Sequence, residues 1–243
     1  MKVTYLNHSG FLLEWEHSYW LFDYYKGTIP PLNPKKDILV FCSHSHHDHF
    51  NPEIFHLLSE CPSITYIFST EIRRTCKHLQ NKGIISPSLP INFLKSRTDT
   101  CLTMSNGEII KIHTLQSTDC GCAFYIEYNG KTIYHAGDLH WWYWEGEDIS
   151  WNNHMTAAYK KEMEYLKDQI INLAFTPLDP RQEKDYSLGM NYFLNNTLTC
   201  HMFPMHFWDN FDIIEQYQQE YSIPESTTFY TLCQNGQSFE IMV

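Results

Sequence analysis

Polar and apolar positions alternate in short runs along the first forty residues. Stretches near 2–6, 11–15, 19–23 and 38–42 have the alternating or continuous apolar character of strands, and the first three are close enough to form an antiparallel meander. The period then changes. Asn51-Pro52 offers an N-cap followed by proline at the first helical position, and Ile54, Leu57, Leu58 and Cys61 repeat along one helical face. A strand at 64–68 leads to a second helix with Ile72, Cys76 and Leu79 on its buried side and Gly83 near its end. The second half repeats this grammar, with strands near 107–112, 122–128 and 131–136 and a helix near 155–170 marked by Met155, Tyr159, Met163, Leu166 and Ile170. A strand at 171–176, a helix near 187–198, a strand at 200–203, a helix near 211–221 and strands at 227–231 and 238–242 complete the pattern. Strands in two groups, each with helices of one apolar face, predict two packed sheets covered outside by helices.

The 243 residues are 43% hydrophobic, enough to bury a sizeable core, and no hinge-like or repetitive stretch divides them, so one domain over 1–243 is expected. Seventeen Lys+Arg against 28 Asp+Glu leave a formal net charge of -11, which argues against nucleic acid as a general partner. The first residues lack a basic and apolar leader, and no run approaches bilayer length, so a cytoplasmic protein without a membrane span is expected. The eight cysteines then read as reduced thiols, with Cys120-Gly121-Cys122 as small strand-edge residues. Nothing in the sequence sets an oligomeric state.

Chemistry concentrates between Ile38 and Pro52, where an apolar strand runs into His44, His46, Asp48 and His49 and then into a helix start. Imidazole nitrogens and carboxylate oxygens are what divalent ions such as zinc accept, and four such groups within six residues would remain unsatisfied if buried without a cation. The spacing His44-x-His46-x-Asp48-His49 resembles the signature of the metallo-β-lactamase superfamily. Further along, His135-Ala136-Gly137-Asp138 looks like the strand-end Gly-Asp whose carboxylate bridges two metals, and Phe203-Pro204-Met205-His206 like the late histidine of the second site. The resemblance implies a four-layer αββα sandwich with the site along one edge between the sheets. It also implies two divalent ions, zinc first, held chiefly by His44, His46, Asp48, His49, Asp138 and His206.

Such a pair of ions lowers the pKa of a bridging water from about 15.7 toward roughly 7, giving hydroxide at neutral pH. The implied reaction is hydrolysis of a small ester, lactone or phosphoester by a dinuclear centre and its metal-bound hydroxide, with Asp48 and Asp138 orienting the nucleophile. The short build is similar to the zinc-hydrolase branch near the ascorbate-phosphate lactonases. A non-catalytic metal-binding module and a metal-dependent nuclease are the alternatives. A metal-bound water, Asp48 or His140 could protonate the leaving group, His140 being equally well a packed loop residue. Arg181 could hold an anionic group, or pair with Asp179 or Asp185. Trp144, in the aromatic run 141–144, could line a substrate wall or belong to the core. His47 reads as a spacer and His135 as a packed residue, while Asp23 and His8 are left unassigned between supporting and turn roles.

Relatives commonly supply a third histidine to the first metal, where this chain offers His113 or an oxygen from Ser117-Thr118-Asp119. Asn129-Gly130 predicts a hairpin pairing Tyr128 with Lys131, and its register places Gly121 opposite Asp138. At roughly 3.3 Å per extended residue, His113 would lie more than about 20 Å from Gly121 unless the chain folds back. Asp119 is therefore the expected ligand, giving a harder site that admits manganese or iron more readily than three histidines would.

Overall fold

The computed structural model describes residues 1–243. In chain order the first sheet takes β1 (Lys2–Asn7), β2 (Gly10–Glu14), β3 (Ser18–Phe22), β4 (Asp37–Cys42), β5 (Ile64–Ser69) and β6 (Ile91–Leu94). The second takes β7 (Asp99–Thr103), β8 (Ile109–Gln116), β9 (Cys122–Tyr128), β10 (Lys131–His135), β11 (Ile170–Pro177), β12 (Leu198–Met205) and the short β13 (Thr228–Phe229). The last strand, β14 (Ser238–Glu240), returns to the first sheet beside β1, so the orders are β14-β1-β2-β3-β4-β5-β6 and β13-β12-β11-β10-β9-β8-β7. Each sheet is antiparallel on one side and parallel on the other, with β3 to β6 and β10 to β13 parallel.

Period-two patterning assigns the layers. In β4, Leu39 and Phe41 enter the core between the sheets, whereas Ile38, Val40 and Cys42 join a second cluster with residues of α1 (Ile54–Leu57) and α2 (Arg73–Asn81). A strand apolar on both faces is what a central parallel strand requires. In β10, His135 stacks on Phe22 of the opposite sheet, while Tyr134 stacks on Phe193 of α4 (Leu188–Asn196). Tyr159, Met163 and Leu166 of α3 (Ile149–Leu166) and Ile213, Ile214 and Tyr217 of α5 (Asp212–Glu220) complete the outer cover of the second sheet. The architecture is the expected helix–sheet–sheet–helix sandwich. Each fully buried aromatic, such as Phe41 or Phe175, contributes about 1.5–3 kcal/mol of transfer free energy.

Several element boundaries differ from expectation. The helix after Asn51-Pro52 is a single turn and Leu57, expected inside, is exposed. Asn51 ties this loop to the Tyr25 carbonyl, and Pro62 allows no continuation past Cys61. The strand expected at 107–112 lies at Ile109–Gln116, because Gly107 adopts a left-handed φ of 85° in the turn joining it to β7. The sequence reading misses β7 and β6, the first a polar edge strand with alternating exposure and the second four residues directly after a proline. The helix expected at 155–170 is Ile149–Leu166, and Ile170 opens β11 instead. All eight cysteines are free, and no helix is long and apolar enough to cross a membrane.

Candidate metal centre

The carboxyl ends of the parallel strands in both sheets converge, and the chain turns there. After β4, Ser43 donates its backbone N–H to Asp23 Oδ1 at 2.7 Å and its hydroxyl to Asp23 Oδ2 at 2.6 Å. Having given its one proton to the carboxylate, the hydroxyl accepts from His44 Nδ1 at 2.9 Å. His49 Nδ1 donates to the same Asp23 Oδ2 at 2.8 Å. One buried carboxylate at the end of β3 thus fixes the tautomer of two histidines and turns each Nε2 lone pair toward the centre. On the other sheet, Asp179 past β11 does the same for His206, accepting from its Nδ1 at 2.9 Å while Arg181 braces it through Nε and Nη2.

Two groups result, in each of which the ligand atoms lie within 4.8 Å of one another: His8, Asp48, His49 and His206, buried, and His44, His46, Asp119 and Asp138, with His46 and Asp119 exposed. Asp138 joins them. Its Oδ2 lies 3.3 Å from His44 Nε2, and its Oδ1 lies 3.1 Å from His49 Nε2 and 3.4 Å from His206 Nε2.

This donor set passes a direct test of fit to divalent ions. His8 Nε2, His49 Nε2 and Asp138 Oδ1 are buried without a hydrogen-bond partner, a cost of about 1–3 kcal/mol each if nothing else satisfied them. Ligands bound to zinc at about 2.0–2.1 Å in a tetrahedron stand about 3.3–3.4 Å apart, and the separations seen here straddle that value. The chemistry agrees: imidazole and carboxylate, with the imidazoles steered by carboxylate or hydroxyl partners.

Electrostatics point the same way. Burial opposes the charged form of Asp138, yet His49 and His206 outweigh it and hold the carboxyl well below the usual range. Burial likewise disfavours charged His49, but Asp138 and Asp23 raise its pKa well above the ordinary value. The pocket stabilises positive charge among its carboxylates, which a divalent ion would supply in place of protons.

The structure brings most of the residues singled out in the sequence to this place. A cavity of about 320 Å³ opens over His46, Asp48, Asp119, Asp138 and His206, and Trp142, Trp144, Trp151, Met155 and Arg181 also line it. Both proposed substrate contacts, Arg181 and Trp144, line the cavity, while the Arg181 guanidinium also packs 4.6 Å from the Trp208 ring centre and pairs with Asp179. His140 does not reach it. Its ring lies buried against Gly189 with Nε2 2.8 Å from Gln182 Oε1, and burial lowers its pKa to about 4. Of the two readings open for it, leaving-group acid or packed loop residue, the structure shows the second, because the chain after Asp138 turns inward and presents Trp142 and Trp144 to the cavity instead. His47 is exposed, and His135 bonds the Ser9 carbonyl at 2.9 Å.

Tyr128 pairs with Lys131 as the Asn-Gly turn requires, and Asp119 Oδ2 lies 3.5 Å from His46 Nδ1. The distance premise for His113 does not hold, since β8 folds back on β9 with Gln116 opposite Cys122, shortening the path. His113 pairs with Tyr125, three pairs back from Gln116 and Cys122, and its side chain is engaged elsewhere: it bonds Asp99 at 2.9 Å and stacks on Tyr165. Gly121 makes the approach of the Asp119 loop possible, because a Cβ there would overlap the Ser43 carbonyl and φ is 73°.

Sequence reasoning left His8 and Asp23 unassigned between supporting and turn roles, and read Asp179 only as a possible partner of Arg181. His8 sits at the apex of the two-residue β1–β2 turn with φ 55°, where glycine or asparagine is usual, and that mismatch is the one local signal it carries. Asp23 and His206 are also held at positive φ, 40° and 63°.

Residues 2–142 match the family described as beta-lactamase superfamily domain. A metal-dependent hydrolase of Opitutus terrae is 28% identical over 149 residues, covering 57% of this chain and 63% of that protein, so the match spans less than two thirds of the relative. A metal-dependent hydrolase of Heliobacterium modesticaldum is 25% identical over 232 residues, covering 89% of this chain and 86% of its own. Among solved structures, the metallo-beta-lactamase fold protein YhfI from Bacillus subtilis aligns over 98% of this chain and 99% of that one, with a TM-score of 0.62 and 15% identity, a likeness of fold.

Proposed function

Since the chain belongs to the beta-lactamase superfamily, we propose that it is a metal-dependent hydrolase whose dinuclear centre cleaves a small ester, lactone or phosphoester. The observation that carries this reading is Asp138, a buried carboxylate with each oxygen facing a different group of ligands. Asp48, His49 and His206 would hold one divalent ion and His44, His46 and Asp119 the other, with Asp138 between them; zinc suits the nitrogen-rich set, and manganese or iron the exposed carboxylate side. When bound, the ions supply an acidified water and a Lewis acid for the scissile group.

The chain's own residues do the rest. Asp23 and Asp179 hold three imidazoles in one orientation, so the site is preorganised before substrate arrives. Asp48 lines the cavity as a carboxylate depressed well below its usual range, burial being outweighed by His8 and His49, so it stays ionised and can accept a hydrogen bond from the attacking water and orient it. Trp142, Trp144 and Trp151 offer a flat apolar wall for the substrate and displace water from it. Arg181 spends Nε and Nη2 on Asp179, leaving Nη1 for an oxygen of the substrate. A cavity of this size in a chain of net charge -11 suits a small molecule rather than a nucleic acid.

The test is turnover of an aryl ester, lactone and phosphodiester panel before and after stripping by a chelator and reloading with zinc or manganese. Loss on stripping and return on reloading are expected. Full activity in the metal-free protein would sink the mechanism.

A further inference from the structure

The two ligand groups differ in what surrounds them. In the inner group, His8, His49 and His206 are essentially inaccessible and the Asp48 side chain is 10% exposed. In the outer group, the side chains of His46 and Asp119 are 49% and 45% exposed.

His8 is what makes the inner group complete. Its Nε2 is buried with no hydrogen-bond partner and stands 3.4 Å from Asp48 Oδ2, the separation of two ligands sharing one ion. Its ring packs at 4.1 Å on the ring of His206 and at 4.5 Å on Trp208, which closes that side to water. The backbone is locked as well. Tyr5 accepts the His8 N–H at 2.8 Å, and the His8 carbonyl accepts from His206 N at 3.2 Å, so the two histidines move as one piece. A turn residue held at φ 55° by both sheets, with an unsatisfied nitrogen aimed at three other ligands, is poorly explained as packing alone.

We propose that His8 is an additional ligand of the inner ion through Nε2, and that the centre therefore consists of one tightly held, shielded ion and one open, exchangeable ion. This rests on the reading of the site as dinuclear. The inner ion has three imidazoles, Asp48 and the shared Asp138. The outer ion has His44, half-exposed His46 and Asp119, and Asp138, so solvent and substrate reach it first. The outer position is where a different divalent metal, manganese or iron, would enter while the inner one keeps zinc.

Zinc release from the loaded, full-length protein into a chelating dye tests both halves. Wild type should release one equivalent fast and one slowly. His8→Gln should accelerate the slow phase by a factor on the order of 100, at the upper end of what loss of an outer-shell partner does, and leave the fast phase as it was. Asp119→Asn should remove the fast equivalent alone. An unchanged slow phase in His8→Gln overturns the assignment of His8, and a single phase of two equivalents in wild type overturns the inequality. Wild type that takes up no zinc defeats the dinuclear reading itself, a separate failure. Because His8→Gln could fail to fold, wild type with nitrogen-15 histidine and cadmium-113 provides a second reading: scalar coupling at His8 Nε2 is expected, and its absence beside coupling at His49 and His206 would overturn the proposal.

Discussion

The two halves of the sandwich build the centre in different ways. The first sheet contributes His8, His44, His46, Asp48 and His49, four of them from one loop, while the second contributes Asp119, Asp138 and His206, each beyond a different strand. Contiguous ligands need only one loop conformation, and a single carboxylate, Asp23, steers two of them. Dispersed ligands depend on register: a slip of one residue between β9 and β10 would turn Asp138 away from both groups. The loop therefore supplies two donors to each group, and Asp138 of the second sheet lies between the groups.

The strongest way to break that contrast is Asp138→Ala, which removes the shared ligand. Binding at both groups should weaken together, and hydrolysis should fall on the order of 1000-fold, the scale of losing a principal electrostatic element of a site. Elemental analysis with a turnover assay reads this directly. Two ions per chain retained in the variant would show that the groups are independent and that the second sheet merely encloses them.

Next in size is the comparison of Asp23→Asn with Asp179→Asn. Asp23 supports a histidine of each group, whereas Asp179 supports His206 alone. Asp23→Asn should lower affinity by roughly 10–100-fold at both sites, and Asp179→Asn by a similar factor at the inner site only. Competition titrations against a zinc chelator distinguish these outcomes. Equal, two-site losses in both variants would dissolve the distinction between a hub and a single brace.

The same contrast explains what the sequence made legible. Period and apolar content sufficed for two sheets and their helical covers, because β4 and β10 declare their buried faces residue by residue. The loop from His44 to His49 was readable as a ligand cluster since its donors are adjacent in the chain. Asp138 and His206 were readable through a resemblance carried by their neighbours, Gly137 and Pro204. His8 was not, because its meaning arises only when β1 and β12 bring it against His206, a contact between residues 8 and 206 that no local pattern encodes. Asp179 was read only as a possible partner of Arg181, with the imidazole it steers out of sight. His140 misled for the converse reason, being next to a ligand in sequence but turned into the packing around Gly189 in space.

The smallest expected effects, and the sharpest test of register, come from Asp119→Ala beside His113→Ala. Asp119 is held by its own turn, with its backbone N–H donating to Ser117 Oγ at 3.1 Å, and its carboxylate is the outer group's exposed oxygen donor. Its removal should cost the outer ion alone and leave one ion per chain, with little change in folding because the side chain is half in water. His113 lies on β8 but faces Asp99 and Tyr165, so His113→Ala should leave two ions per chain. What that variant loses is one hydrogen bond to an exposed carboxylate and one stacked ring, together about 1 kcal/mol of stability. Metal stoichiometry and a thermal melt separate the two variants. If the outer ion leaves with His113 and stays without Asp119, the β8–β9 connection arranges its ligands differently in solution, and the outer site would be a three-histidine site selective for zinc.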